Sequence, residues 1–208
     1  MKNIFALLGF CVSLTVPAMQ PQVWHSGEIT LNNAQVLNGE IRYDALTDLL
    51  QVKDNATLKV YSARQLSSFA YFDVAANTVR RFMSFADPVR RRSRAKVFLE
   101  VVLAGEMYLL RRPHSPRNAR MLGGPVIEME SPWYDSKNVF EYFIYANGGF
   151  TPLERFQKAV LPRLMREFAT QLQAFIQKRN LNLFTQRGRF LLINQYNVLK
   201  APAKIALM

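Results

Sequence analysis

The sequence predicts an α+β protein: an N-terminal antiparallel β-meander curling into a small barrel or sandwich, with two or three C-terminal amphipathic helices packed on it. Three observations carry that prediction. Residues 27–86 are cut into short, partly alternating apolar runs by Asn, Asp and Ser, the spacing of a meander. Residues 97–110 (VFLEVVLAGEMYLL) form two near-continuous apolar runs of strand length around Ala104-Gly105-Glu106, with Gly105 as the turn. From residue 151 onward, apolar side chains recur at three- and four-residue spacing, the period of a helix face.

The chain opens with Lys2, an apolar run from Ile4 to Val16, and the small-residue exit Val16-Pro17-Ala18. This is the layout of a secretory signal peptide cleaved after Ala18; the run of about 13 residues is short of the roughly 20 needed to span a bilayer. Phe10 stands before Cys11, where a lipoprotein signal carries a small residue. Removal of residues 1–18 would take away Cys11, the only cysteine. The mature protein would then rely on packing, with no thiol nucleophile or disulfide. We read residues 19–150 as the β domain and 151–208 as the helical segment. With half of its 208 residues hydrophobic, including 15 Phe and 8 Tyr, the chain can bury a large core, which excludes disorder. No later run reaches membrane-helix length.

Taken in order, Gly27–Leu31 and Gln35–Asp44 read as paired strands with Asn32-Asn33 as the turn. Leu49–Val52, Thr57–Tyr61 and Phe69–Val74 follow, with a hairpin turn at Asp54-Asn55, and Gly39 is expected to mark a bulge or sharp bend that lets the sheet curl. Residues 77–86 place Arg80 and Arg81 on opposite faces, which predicts an edge strand or a strand end. The apolar run 97–110 then reads as a central hairpin covered on both faces. Residues 111–136 read as a long loop with a short strand at Val126–Met129, and Val139–Tyr145 as a last strand ended by Asn147-Gly148-Gly149. Thr151, Pro152 and Glu154 form a capping box opening the first helix, which Pro162 breaks or kinks. Leu164, Phe168, Leu172 and Phe175 line a second helix stopping at Asn180. A third runs from about Gln186 to Leu199 with Leu192, Tyr196 and Leu199 inward and Gly188 as its weak point.

Gly27–Leu31, Gly39–Asp44, Leu66–Phe69, Phe98–Gly105, Leu109-Leu110 followed by Arg, and Gln195-Tyr196-Asn197 together resemble exported, uncharacterised proteins of Bacteroidota. That resemblance implies export and no known activity, cofactor or active site. Gly27–Asp44 also resembles the first bent strands of Sm-like barrels.

Catalytic candidates are few. The two histidines, His25 and His114, have no G-x-S-x-G elbow or H-E-x-x-H spacing around them, so no metal or cofactor is expected. Glu100, inside an apolar strand, is the most interesting carboxylate, because burial raises a carboxyl pKa; its structural alternative is an ion pair with Arg81 or Arg111. A secreted hydrolase using Glu100 or a loop carboxylate (Glu128, Glu130, Asp135) with His114 is the alternative function.

The preferred function follows from charge. The net charge of +12 comes from two segments, 80–120 and 151–208. Arg90, Arg91, Arg92, Arg94 and Lys96 put five cations in seven positions, and Arg111, Arg112, Arg117 and Arg120 follow the hairpin. If the hairpin pairs as drawn, Lys96 approaches Arg111 and both basic loops emerge at one rim. Guanidinium groups there suit an anionic polymer, a lipid headgroup or lipopolysaccharide. Nucleic acid is disfavoured, because aromatic interleaving is confined to Phe82 and Phe85. The expectation is an exported, non-enzymatic binding protein of the cell envelope or periplasm, located in the periplasm, on the outer-membrane surface or in the medium.

Overall fold

The computed structural model describes residues 23–54, 57–90, 95–113 and 140–201. Ten antiparallel strands form one sheet: β1 (His25–Leu31), β2 (Val36–Asp44), β3 (Leu49–Asp54), β4 (Thr57–Ser62), β5 (Leu66–Asp73), β6 (Thr78–Ala86), β7 (Lys96–Leu103), β8 (Tyr108–Pro113), β9 (Phe140–Ala146) and β10 (Gly149–Pro152). Their spatial order is β10-β9-β8-β7-β6-β5-β1-β2-β3-β4. The α+β class therefore stands, and the expected barrel or sandwich is replaced by a single open sheet. Among the described residues β4 and β10 are left as the two edges of the sheet, so it does not close into a barrel.

The sheet nevertheless rolls. Four strand steps separate β2 from β7, about 19 Å in a flat sheet. Yet the Tyr43 ring lies 5.9 Å from Phe98, and touches Phe69 and Phe82 at 5.2 and 4.9 Å. Rolling brings Ile29, Ile41, Leu50, Val52, Phe69, Tyr71, Phe82 and Phe98 into one buried cluster on the inner face. Side chains, not a further ladder, hold the roll. Asp48, in the β2–β3 turn at φ 57°, accepts the Phe98 amide at 3.2 Å and the Tyr43 hydroxyl at 2.8 Å.

Several local expectations change. Gly39 is no bulge: it pairs in register with Gly27, and the irregularities fall at Thr30/Leu31 and Val101/Leu103. In the β1–β2 turn it is Ala34, at φ 66°, that takes the left-handed conformation, while Asn33 accepts the Gln35 amide. Strand β6 is internal, between β5 and β7. Asn147 and Gly148, at φ 50° and 73°, make a tight turn that sends the chain back as β10. Thr151 and Pro152 are thereby paired with Ile144 and Phe143, so the expected capping box does not form. The strand expected at Val126–Met129 lies outside the described residues.

Beyond β10 the chain makes a short 3₁₀ turn, Leu153–Arg155, then a π-helical segment, Phe156–Leu164. Pro162 lacks the N–H an α-helix needs, and its ring would press on the carbonyl four residues back. The wider coil takes its place, with the Met165 amide donating to Val160 at 3.2 Å. After a second 3₁₀ turn, Arg166–Phe168, come α1 (Ala169–Arg179) and α2 (Gln186–Lys200). Asn180 ends α1 as expected, in the left-handed conformation at φ 47°. Phe156, Val160, Met165, Leu172, Leu192, Ile193 and Tyr196 pack on Leu109, Phe140, Tyr142 and Ile144, making a second core on β8 and β9.

Gly188 is a requirement rather than a weak point of α2. Its amide donates to the capping Thr185 Oγ1 at 3.1 Å, and a Cβ there would overlap the Asn182 carbonyl. Gly188→Ala is expected to destabilise the protein by about 1–3 kcal/mol despite its better helix propensity. Urea unfolding would check this; a stabilised variant would contradict it.

Candidate functional site

The basic end is built from strand ends. Ala86, closing β6, pairs with Lys96, opening β7, and Pro113, closing β8, pairs with Phe140, opening β9. The connections 87–95 and 114–139 therefore leave the sheet at the same end. Asp87 anchors the first: its carboxylate accepts the amides of Val89 and Arg90 at 2.9 and 3.2 Å, and its own amide donates to Ala95 at 3.0 Å. The same carboxylate holds Arg112 Nη1 at 3.3 Å, while Arg112 Nε donates to Glu141 at 2.9 Å. The base of the first connection is thus tied to β8.

The nine expected binding residues do not form one set. Arg90 and Lys96 are exposed. Arg112 is engaged by Asp87 and Glu141. Arg111 is 5% exposed and faces the interior. Nor does Lys96 meet Arg111, because the register sets Arg111 opposite Glu100. Arg91, Arg92, Arg94, Arg117 and Arg120 lie outside the described residues, as do His114, Glu128, Glu130 and Asp135.

Arg111 belongs instead to a buried charge cluster on the inner face, between the two cores. Glu100 Oε1 accepts Arg80 Nε and Arg111 Nη2, each at 3.0 Å. Oε2 accepts Arg80 Nη2 at 2.7 Å and Arg111 Nε at 2.8 Å. Asp73 stands 3.7 Å from Arg80 Nη1. Aromatic faces complete the enclosure: Arg80 lies 5.4 Å from the Phe82 ring and Arg111 4.3 Å from Phe140. The ion-pair alternative for Glu100 is the one observed, with Arg80 in place of Arg81, which is exposed on the other face.

This geometry reverses the expected titration of Glu100. Burial alone would raise its carboxyl, but hydrogen bonds and charge from Arg80 and Arg111 outweigh burial and hold it below the usual range. Burial would likewise lower both guanidinium pKa values, and Glu100 raises them instead. A carboxylate held ionised, with each oxygen accepting two donors, has no proton to give as a general acid. Asp48 shifts the other way: burial raises it more than its hydrogen bonds to Tyr43 and Phe98 lower it.

His25 is a packing residue, its ring 4.7 Å from Tyr71 and its Nδ1 3.2 Å from the Phe72 carbonyl oxygen. Among the described residues, no three His, Cys, Asp or Glu side chains gather as a metal site, and no helix is long and apolar enough to cross a membrane. Charge counting along the sequence could not separate Arg111 from Arg90; strand parity could, since Arg111 shares a face with the apolar Leu109. No protein-family model matches this chain, and neither a curated protein nor a solved structure does.

Proposed function

We propose that the chain is exported and acts without catalysis, as a cell-envelope or periplasmic binding protein that presents its basic end to an anionic partner. The observation that carries this reading is that the connection 87–95, which holds Arg90, Arg91, Arg92 and Arg94, leaves the sheet at the same end as the connection that holds Arg117 and Arg120, with exposed Arg90 and Lys96 at the base of the first. Asp87 and Arg112 hold that base in place. Withdrawal of Arg111 into the core and engagement of Arg112 leave Arg90, Arg91, Arg92, Arg94 and Lys96 as the cations to test first.

Dextran sulfate serves as the probe. Binding is expected to weaken steeply between low salt and 1 M salt, where the screening length falls to roughly 3 Å. A cation close to an anionic surface contributes about 1 kcal/mol. Replacing Arg90, Arg91, Arg92 and Arg94 together by serine should therefore weaken binding about a thousandfold. Affinity indifferent to both salt and the fourfold change would overturn the reading.

A further inference from the structure

The helical layer carries an apolar stripe that its own core does not use. Helix α2 turns Leu192, Ile193 and Tyr196 inward. On its other side Leu191 and Val198 are 40% and 61% exposed, and Phe184, just ahead of the helix, is 74% exposed. Leu191 and Val198 stand seven residues apart within the helix, a spacing that drifts only about 20° around it, and Phe184 projects from the turn just before its cap. The segment that carries the stripe is basic: residues 169–200 hold Lys178, Arg179, Arg187, Arg189 and Lys200 and no Asp or Glu.

The segment that displays Phe184 is firmly built. Asn182 Oδ1 accepts the Phe184 amide at 2.9 Å, Thr185 Oγ1 donates to the Asn182 carbonyl at 2.7 Å, and Arg189 Nε donates to the Leu183 carbonyl at 2.8 Å. It also lies toward the basic end. Arg189 Nη1 donates to Leu153 at 3.1 Å, and Phe190 packs 5.2 Å from Tyr142, two residues from the start of β9. The far end of α2 meets Met107 at the opposite pole, where Asn197 bonds its backbone.

We propose that Phe184, Leu191 and Val198, with Lys178, Arg179 and Arg187, form a docking surface for an anionic lipid bilayer. α2 then lies in the plane of the headgroups with its apolar stripe beneath them. This inference rests on the reading that the basic end meets an anionic partner, and names that partner as a lipid surface. Charge decides against a second copy of the chain: pairing the stripe with itself would bring Lys178, Arg179 and Arg187 against their own likeness, whereas anionic headgroups neutralise them.

The test compares phosphatidylcholine vesicles with and without phosphatidylglycerol, and dextran sulfate as a soluble polyanion. Burying even part of a Phe, Leu or Val side chain is worth roughly tenfold in affinity. Phe184→Ser, Leu191→Ser and Val198→Ser together should weaken binding to phosphatidylglycerol vesicles at least about a hundredfold and leave dextran sulfate binding unchanged. Phe184→Trp should shift its emission to the blue on those vesicles and not on pure phosphatidylcholine. All three positions are exposed, and a thermal melt verifies that the variants remain folded. Vesicle binding unaffected by the triple change, or no blue shift, would overturn the lipid surface while leaving the basic end standing. Failure of the native protein to bind either anionic probe would sink both. A native dimer that the triple change dissociates would assign the stripe to a second copy and overturn the proposal.

Discussion

Glu100→Gln is expected to remove about 3–5 kcal/mol of stability, the usual result of breaking a buried ion pair from one side. Gln keeps the shape but not the charge, so Arg80 and Arg111, 8% and 5% exposed, would be left as buried guanidiniums that have lost their shared carboxylate, with Asp73 3.7 Å from Arg80. Joint replacement of Arg80 and Arg111 by Met, Glu100 by Leu and Asp73 by Asn leaves no buried charge in the cluster, and the asparagine amide oxygen still accepts the Ala76 amide. The joint change is expected to be near neutral or stabilising by about 1–4 kcal/mol. That contrast separates the loss from one side from the net worth of the cluster, and urea midpoints at pH 7 measure both. The pH dependence has a fixed sign. The folded Glu100 pKa lies below its ordinary value, so the unfolded chain binds the proton first as pH falls. The contribution is complete well above the ordinary glutamate pKa of about 4.3 and disappears as pH drops through the folded value. Glu100→Gln should flatten that acid limb. A variant as stable as the native protein at pH 7, with the limb intact, would show that Glu100 does not hold this cluster.

Much of the architecture was legible because it is local. The runs either side of Gly105 are β7 and β8, and residues 27–44 are the first hairpin, since alternation and turn residues act over a few positions. Asn180 was legible for the same reason. What failed needed distant information. Thr151-Pro152-x-Glu154 has the local chemistry of a helix start, but the Asn147-Gly148 turn returns those residues to β9, and strand pairing overrides the cap. That Asn-Gly pair is itself a strong hairpin signature, and reading it as the end of a strand concealed β10. Roll was hidden because it depends on Tyr43 reaching Phe98 over the three strands between them. The basic rim was half legible. Counting charge located the arginine-rich segments, yet only the strand register shows Arg111 facing inward to Glu100 and Arg112 held at Asp87 and Glu141. One position of parity likewise exchanges the expected Arg81 for Arg80.

Asn197→Ala is expected to destabilise the protein by about 2–5 kcal/mol, more than its half-buried position implies. Its carboxamide reaches ninety positions back along the chain: Oδ1 accepts the Met107 amide at 2.9 Å and Nδ2 donates to the Met107 carbonyl at 2.8 Å. Met107 is 1% exposed, so alanine would strand two buried backbone groups at about 1–3 kcal/mol each. The β7–β8 turn is shaped for this clamp, since a Cβ on Gly105 would overlap the Asn197 side chain. Asn197→Asp should be nearly as costly, because it keeps an acceptor for the amide and sets a second oxygen against the carbonyl. Urea unfolding gives the magnitude, and amide exchange locates it. Protection should fall first at Met107 and the second half of α2, while Arg189, which caps Leu153 and Leu183 at the other end, keeps the first turn in place. Unchanged exchange at Met107 would mean that the helix is seated by its apolar face alone. In that case Leu192, Ile193 and Tyr196, and not the clamp, fix α2 on the sheet.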